Sequence, residues 1–263
     1  MTVKPRLVGV VHLPPLPGAP RFRGSMDRIL EQVSEDAEAL ARAGFDAMMV
    51  ENFGDVPFFA EQVPAVTVSA MTACALAARE AASQLALGIN VLRNDLASAI
   101  SIAAVVGAEF VRVNVLTGAR VTDQGIVQGR AAEALRLRKA LDASQVGIWA
   151  DVDVKHAAPL APRDIGDEAE EVVDRSMAEA VLVTGRATGA PVDEGLLARV
   201  REAVPRARIY VASGASEKSL KSLAAHCDGV VVGSALRKGD KAGQPIDPKR
   251  AVSFAKAFRK AFR

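Results

Sequence analysis

The chain has 263 residues and a formal net charge of +2; half of it is apolar but only 4% is aromatic. That length can bury a sizeable core in one large α/β domain or two small ones. The near-neutral balance gives no global reason to expect nucleic acid, so acidic ligands must be caught by local groups.

The first apolar run, residues 7–13, reads as a strand ended by Pro14 and Pro15. It is too short for a secretion signal, and no later stretch reaches membrane-spanning length, so a soluble cytoplasmic protein is expected. Residues 27–43 follow as an amphipathic helix, with Ile29, Val33, Ala37, Leu40 and Ala41 on one side and Glu31, Glu35, Glu38 and Arg42 largely on the other. Gly44 supplies its C-terminal stop. Further strands are expected over 46–52, 85–92, 110–116, 147–156, 180–185, 208–214 and 229–236. Helices are expected over 65–83, 95–106, 129–141, 166–178, 193–203, 216–225 and 248–262, with Asp95 and Asp193 as caps of two of them. Cys74 and Cys227 show no metal spacing and read as buried free thiols of a reducing compartment. Eight matched strand and helix units in about 250 residues predict a single (β/α)8 barrel domain over 1–263. The rival, a doubly wound open sheet, lacks a Gly-x-Gly-x-x-Gly after the first strand.

Active-site residues of such a barrel sit at the C-terminal ends of its strands. Side chains alternate across a strand, so Gly147-Ile-Trp-Ala-Asp-Val-Asp-Val-Lys-His156 places Trp149, Asp151, Asp153 and Lys155 on one face. Charged groups on an inner face are costly unless they pair, bind an ion or hold a substrate. The same alternation sends Asn90 inward on the third strand, and Arg112 and Asn114 inward on the fourth. One reading is a buried, mutually satisfied network. The functional reading makes Asp153 and Lys155 an acid and base pair at the mouth, with Asp151 and Arg112 below holding charge and orientation. A third is a metal site of Asp151, Asp153 and His156 with Glu51 or His12, which would suit magnesium or manganese.

Glycine-containing turns follow the seventh and eighth strands, and their N–H groups at Gly214, Ala215, Gly233 and Ser234 are candidates to hold a phosphate. After the sixth strand, Thr184 and Arg186 lie in a Gly-rich loop suited to covering an anionic substrate. His12, at the end of the first strand, is a candidate acid or base. The last helix carries Phe254, Phe258 and Phe262 at four-residue spacing, with Lys256, Arg259, Lys260 and Arg263 elsewhere on the wheel. Docking on the barrel is the favoured reading, and peripheral contact with a membrane surface is the alternative.

Val8-Gly-Val-Val-His-Leu-Pro-Pro-Leu-Pro-Gly-Ala-Pro20, Asn90-Val-Leu-Arg-Asn-Asp95, Ala150-Asp-Val-Asp-Val-Lys-His156 and Thr184-Gly-Arg-Ala-Thr-Gly189 together resemble the BtpA/SgcQ family. The resemblance runs over essentially the whole chain. It implies a phosphate-binding TIM barrel similar to phosphoribosylanthranilate isomerase. It implies either of two functions: processing of a sugar phosphate or nucleoside, or biogenesis of photosystem I or another membrane complex. The expectation is an enzyme doing acid/base chemistry on a phosphorylated sugar or ribosyl compound, isomerase- or epimerase-like, or a lyase or N-glycosidic cleavage. Asn90, Arg112, Asn114, His156, Thr184 and Arg186 are its expected substrate-binding residues. A homo-oligomer is an open expectation.

Overall fold

A computed structural model describes residues 6–154, 156–161, 163–185 and 191–262. Eight parallel strands close into a barrel: β1 (Leu7–His12), β2 (Ala47–Glu51), β3 (Ala86–Asn90), β4 (Phe110–Val113), β7 (Gly147–Val152), β9 (Ala180–Val183), β10 (Arg208–Val211) and β11 (Gly229–Val232), which pairs back with β1. A separate antiparallel sheet orders β6 (Gly125–Gln128), β5 (Ala119–Thr122) and β8 (Ala157–Pro159). The helices are α1 (Met26–Ala43), α2 (Ala65–Ala81), α3 (Leu96–Val106), α4 (Ala131–Ala140), α5 (Ile165–Glu170), α6 (Glu194–Ala203), α7 (Leu220–Leu223) and α8 (Pro248–Ala261).

Local chemistry accounts for the helix ends. Ser25 accepts the Asp27 N–H at the start of α1, and Gly44 ends it in the left-handed conformation at φ 81°. Asp95, Asp193 and Asp247 cap α3, α6 and α8 through side-chain oxygens, and Pro248 occupies the first turn of α8, where its missing N–H costs nothing. The side chains of α8 explain its position: Phe254, Phe258 and Phe262 are all buried on the barrel. Among the described residues, no helix is long and apolar enough to cross a membrane. Both cysteines are buried and free, and burial pushes each thiol up to about 12, which leaves them unreactive near neutral pH.

The barrel interior has two chemically different levels. Toward the N-terminal side, Val8, Ala47, Met49, Phe110, Trp149, Leu182, Tyr210 and Val231 form an apolar cluster separate from the larger core under the helices. Phe110, Trp149 and Tyr210 stack within it, with ring centroids 3.9 and 4.4 Å apart. Gly88 makes room for this stack, since a Cβ there would lie 2.2 Å from the Phe110 ring. Above the stack, at the C-terminal ends of the strands, the interior turns polar.

Three sequence expectations need correction. The strand expected over 147–156 stops at Val152, because Asp153 and His156 take left-handed backbone at φ 49° and 58°, so the alternation that placed Asp153 beside Asp151 ends there. The helix expected over 216–225 is a single turn, Leu220–Leu223, and the one expected over 166–178 closes with a π-helical turn at Glu171–Arg175. The hairpin of β5 and β6 was not foreseen. Its alternating, half-exposed pattern is too short to stand out from a loop.

Candidate functional site

The C-terminal ends of β1, β2, β3, β4 and β7 bring His12, Glu51, Asn90, Arg112, Asp151 and Asn114 together, and every one of these side chains is buried. Registers explain the gathering: His12 pairs with Glu51, Glu51 with Asn90, and Asn90 with Arg112 along adjacent strands. Arg112 donates two bonds to Asp151, from Nε at 3.2 Å and from Nη2 at 3.0 Å, in the planar fork geometry that favours this pair. Asn114 donates to the same carboxylate, and Arg112 Nη1 lies 4.0 Å from Glu51. Burial works against the Arg112 charge, but Asp151 and Glu51 outweigh it and push the guanidinium above its ordinary value. Asp151 thus accepts three bonds, two from Arg112 and one from Asn114, and orients both neighbours.

Glu51 is differently placed. It accepts from Asn90 Nδ2, lies 3.7 Å from His12 Nε2, and lines two adjoining clefts. His12 is fixed on its far side, where Nδ1 accepts the Gly243 N–H at 3.1 Å, and its ring stacks on Phe53 at 4.4 Å. An Nδ1 that accepts a backbone N–H carries no proton, so the proton of a neutral ring sits on Nε2, the atom nearer Glu51.

The first cleft contains the glycine-containing turns. Gly214, Ala215, Gly233 and Ser234 line it together with His12, Glu51, Phe53 and Arg112. Among the described residues, the N–H groups of Gly214 and Ala215 meet no acceptor, and Gly214 has φ 73°. Gly233 lets the imidazole approach, since a Cβ there would lie 3.0 Å from His12 Cε1. Arg237 holds this turn from behind. Its fully buried guanidinium donates to Gly233 O at 2.6 Å, Val10 O at 2.8 Å and Gln244 O at 2.6 Å. Burial lowers it to about 10, with Asp36 and Glu51 working the other way.

The second cleft, of about 380 Å³, is lined by the buried Glu51, Asn90, Arg112 and Asn114. Apolar Phe53, Val56, Phe58 and Leu92 and polar Arg93, Asp123 and His156 complete its lining. Asp123 comes from the β5–β6 turn and His156 precedes β8, so the small antiparallel sheet completes the mouth. Arg93 is buried, and the loss of solvent lowers its guanidinium despite the nearby Asp151 and Asp123.

Asn90, Arg112, Asn114, Asp151, His12 and Glu51 therefore meet in one place, and Thr184 is buried at the end of β9. Asp153 does not join them: its half-exposed carboxylate lies 3.5 Å from Arg120, which is also paired with Glu168. Lys155 and Arg186 lie outside the described residues. Among the described residues, no three His, Cys, Asp or Glu side chains converge as a metal centre requires, and Asp151, Asp153, His156 and Glu51 are no exception. Sequence reasoning missed Phe53, Phe58, Arg93, Asp123 and Arg237. Phe53 follows Asn52 directly after a strand end, a position that could have flagged it, whereas Arg237 joins the Gly233 and Gln244 carbonyls near it to that of Val10, 227 residues away, a link no local pattern announces.

The family model described as the BtpA family matches residues 3–260. The chain belongs to the BtpA family. One member, an uncharacterised protein of Thermococcus kodakarensis, is 44% identical over 258 residues, 97% of each chain. Another, the Photosystem I biogenesis protein BtpA of Synechocystis, is 40% identical over 252 residues, covering 96% of this chain and 87% of its own. In fold, this BtpA-family barrel is similar to N-(5′-phosphoribosyl)anthranilate isomerase from Pyrococcus furiosus, with a TM-score of 0.60, 14% identity, and 97% and 99% of the two chains covered.

Proposed function

We propose that this BtpA-family barrel is an enzyme that binds a phosphorylated sugar or ribosyl compound and moves protons at its sugar carbons. The observation that carries this reading is the adjacency of the two clefts. One is edged by glycine-turn N–H groups at the ends of β10 and β11, the other by buried carboxylates and amides, and Glu51, Phe53 and Arg112 belong to both. The likeness to an isomerase named for a 5′-phosphoribosyl group supports it at the level of fold.

In this reading the Gly214, Ala215 and Ser234 N–H groups take the phosphate. Glu51 is the proton acceptor, because it lines both clefts, and the His12 Nε2–H, 3.7 Å away, faces its carboxylate as a donor. The Arg112–Asp151 pair holds Asn114 in place through its bond to the carboxylate. Isomerisation or epimerisation fits a single shuttling carboxylate, and lyase or N-glycosidic cleavage uses the same groups. Thermal-shift screening with sugar phosphates, with and without magnesium or manganese, is expected to raise Tm for a phosphorylated sugar but not for its dephosphorylated form. With the substrate so identified, Glu51→Gln is expected to lower kcat about 100-fold or more with little change in binding. Full activity in Glu51→Gln, together with loss in Asp153→Asn, would transfer the role to the carboxylate beyond β7.

A non-catalytic role in membrane-complex biogenesis is the second reading, carried by the 40% identity to the Photosystem I biogenesis protein. The phenylalanines of α8 are spent on the barrel, so only the basic outer face of that helix remains for a surface.

A further inference from the structure

Asn114, in the lining of the second cleft, carries a buried acceptor with nothing to accept. Asn114 is 4% exposed, and its Oδ1 is among the buried side-chain atoms that find no hydrogen-bond partner. Its orientation is not arbitrary. The Asp151 carboxylate, already bound to Arg112, can only accept, so the Asn114 amide must turn its NH2 toward Asp151 and its oxygen away. A buried carbonyl oxygen without a partner is costly, and a donor from a ligand would remove that cost.

Beyond Asn114 the cleft changes character. Phe53, Val56, Phe58 and Leu92 form an apolar wall on the side of the β2–α2 and β3–α3 loops. Its volume of about 380 Å³ falls in the range of ~300–1,000 Å³ typical of sites for ligands larger than a bare sugar. Thus the phosphate cleft, the hydroxyl acceptor and the apolar wall adjoin in one mouth.

Building on the phosphate reading above, we propose that the ligand is a sugar phosphate bearing a ring-sized, largely apolar substituent. A sugar hydroxyl donates to Asn114 Oδ1, which a small shift of the side chain opens to the cleft, and the ring lies against Phe53, Val56, Phe58 and Leu92.

Calorimetric titration of the full chain with inorganic phosphate, ribose 5-phosphate, adenosine 5′-monophosphate and uridine 5′-monophosphate tests this. Ribose 5-phosphate is expected to bind, and at least one nucleotide to bind tenfold or more tightly than it does. Phe58→Ala is expected to weaken that nucleotide at least tenfold more than it weakens ribose 5-phosphate, and Phe58→Leu to restore part of the difference. Asn114→Ala is expected to weaken both sugar phosphates but not inorganic phosphate. Ribose 5-phosphate binding with no gain for either nucleotide, or a gain that Phe58→Ala leaves intact, overturns the ring subsite alone. Failure of phosphate and ribose 5-phosphate alike to bind folded protein overturns the phosphate seat, and this inference with it.

Discussion

Asp36 shows how far a single side chain can depart from its sequence context. It stands on α1 among Glu35 and Glu38, where a solvated acid is the default, yet it is buried, and its Oδ1 accepts the Ile246 N–H at 2.7 Å. Its Oδ2 has no partner. Burial raises its pKa from 3.8 to about 6, with the Ile246 bond and Arg237 opposing the shift. Between about pH 4 and pH 6 the folded protein therefore binds more protons here than the unfolded chain does. Stability from this group is present at the acid end and is lost as pH rises through 6, by about 3 kcal/mol. Asp36→Asn keeps the acceptor for Ile246 and cannot ionise. Urea denaturation is expected to show the variant gaining on the wild type as pH rises from 4 to 7, reaching about 3 kcal/mol. A constant difference across that range would mean that Asp36 ionises as freely as in water.

At the element scale, strand alternation explains both what the sequence revealed and what it concealed. Asn90, Arg112 and Asp151 point inward as their strand positions require, because burial of Leu87, Ile89, Val111, Val113, Ile148 and Ala150 against the helices leaves the other face no choice, and Asn114 follows directly after the end of β4. Asp153 and His156 escaped because alternation holds only while the backbone stays extended. Whether a strand continues depends on neighbours: β7 pairs with β9 as far as Val152 with Val183, and beyond that point the chain turns toward β8. Gly88 gives a second element-level test. A methyl group there would meet the Phe110 ring, itself stacked on Trp149, so the ring cannot move aside cheaply. Gly88→Ala is expected to cost about 1–3 kcal/mol in chemical denaturation. A change below about 0.5 kcal/mol would show that the stack gives way easily.

For the whole molecule, closure of the barrel makes the last helix a structural part of the first strands. Arg6 donates to the Phe262 carbonyl at 3.1 Å, and Phe254 and Phe258 are buried beside α1 and α7. Loss of one such phenylalanine typically costs about 3–5 kcal/mol, against a total stability of about 5–15 kcal/mol for a domain. Truncation before Pro248 is expected to abolish the cooperative thermal transition seen by circular dichroism; a truncated chain that still melts sharply would free α8 for another partner. The order of elements, the inward parity and the glycine turns were legible from the sequence alone, since each follows from local periodicity and backbone freedom over a few residues. The family resemblance, borne by short motifs, was legible too. What only the tertiary structure decided was partnership: Glu51 with Asn90 and His12, Arg237 with Gly233 and Val10, Asp153 with Arg120, and Phe53, Phe58 and Leu92 with Asn114 in the lining of one cleft. Some of these join residues far apart in sequence, Arg237 and Val10 by 227 positions. Such pairings depend on barrel closure and strand register, which no local stretch of sequence encodes by itself.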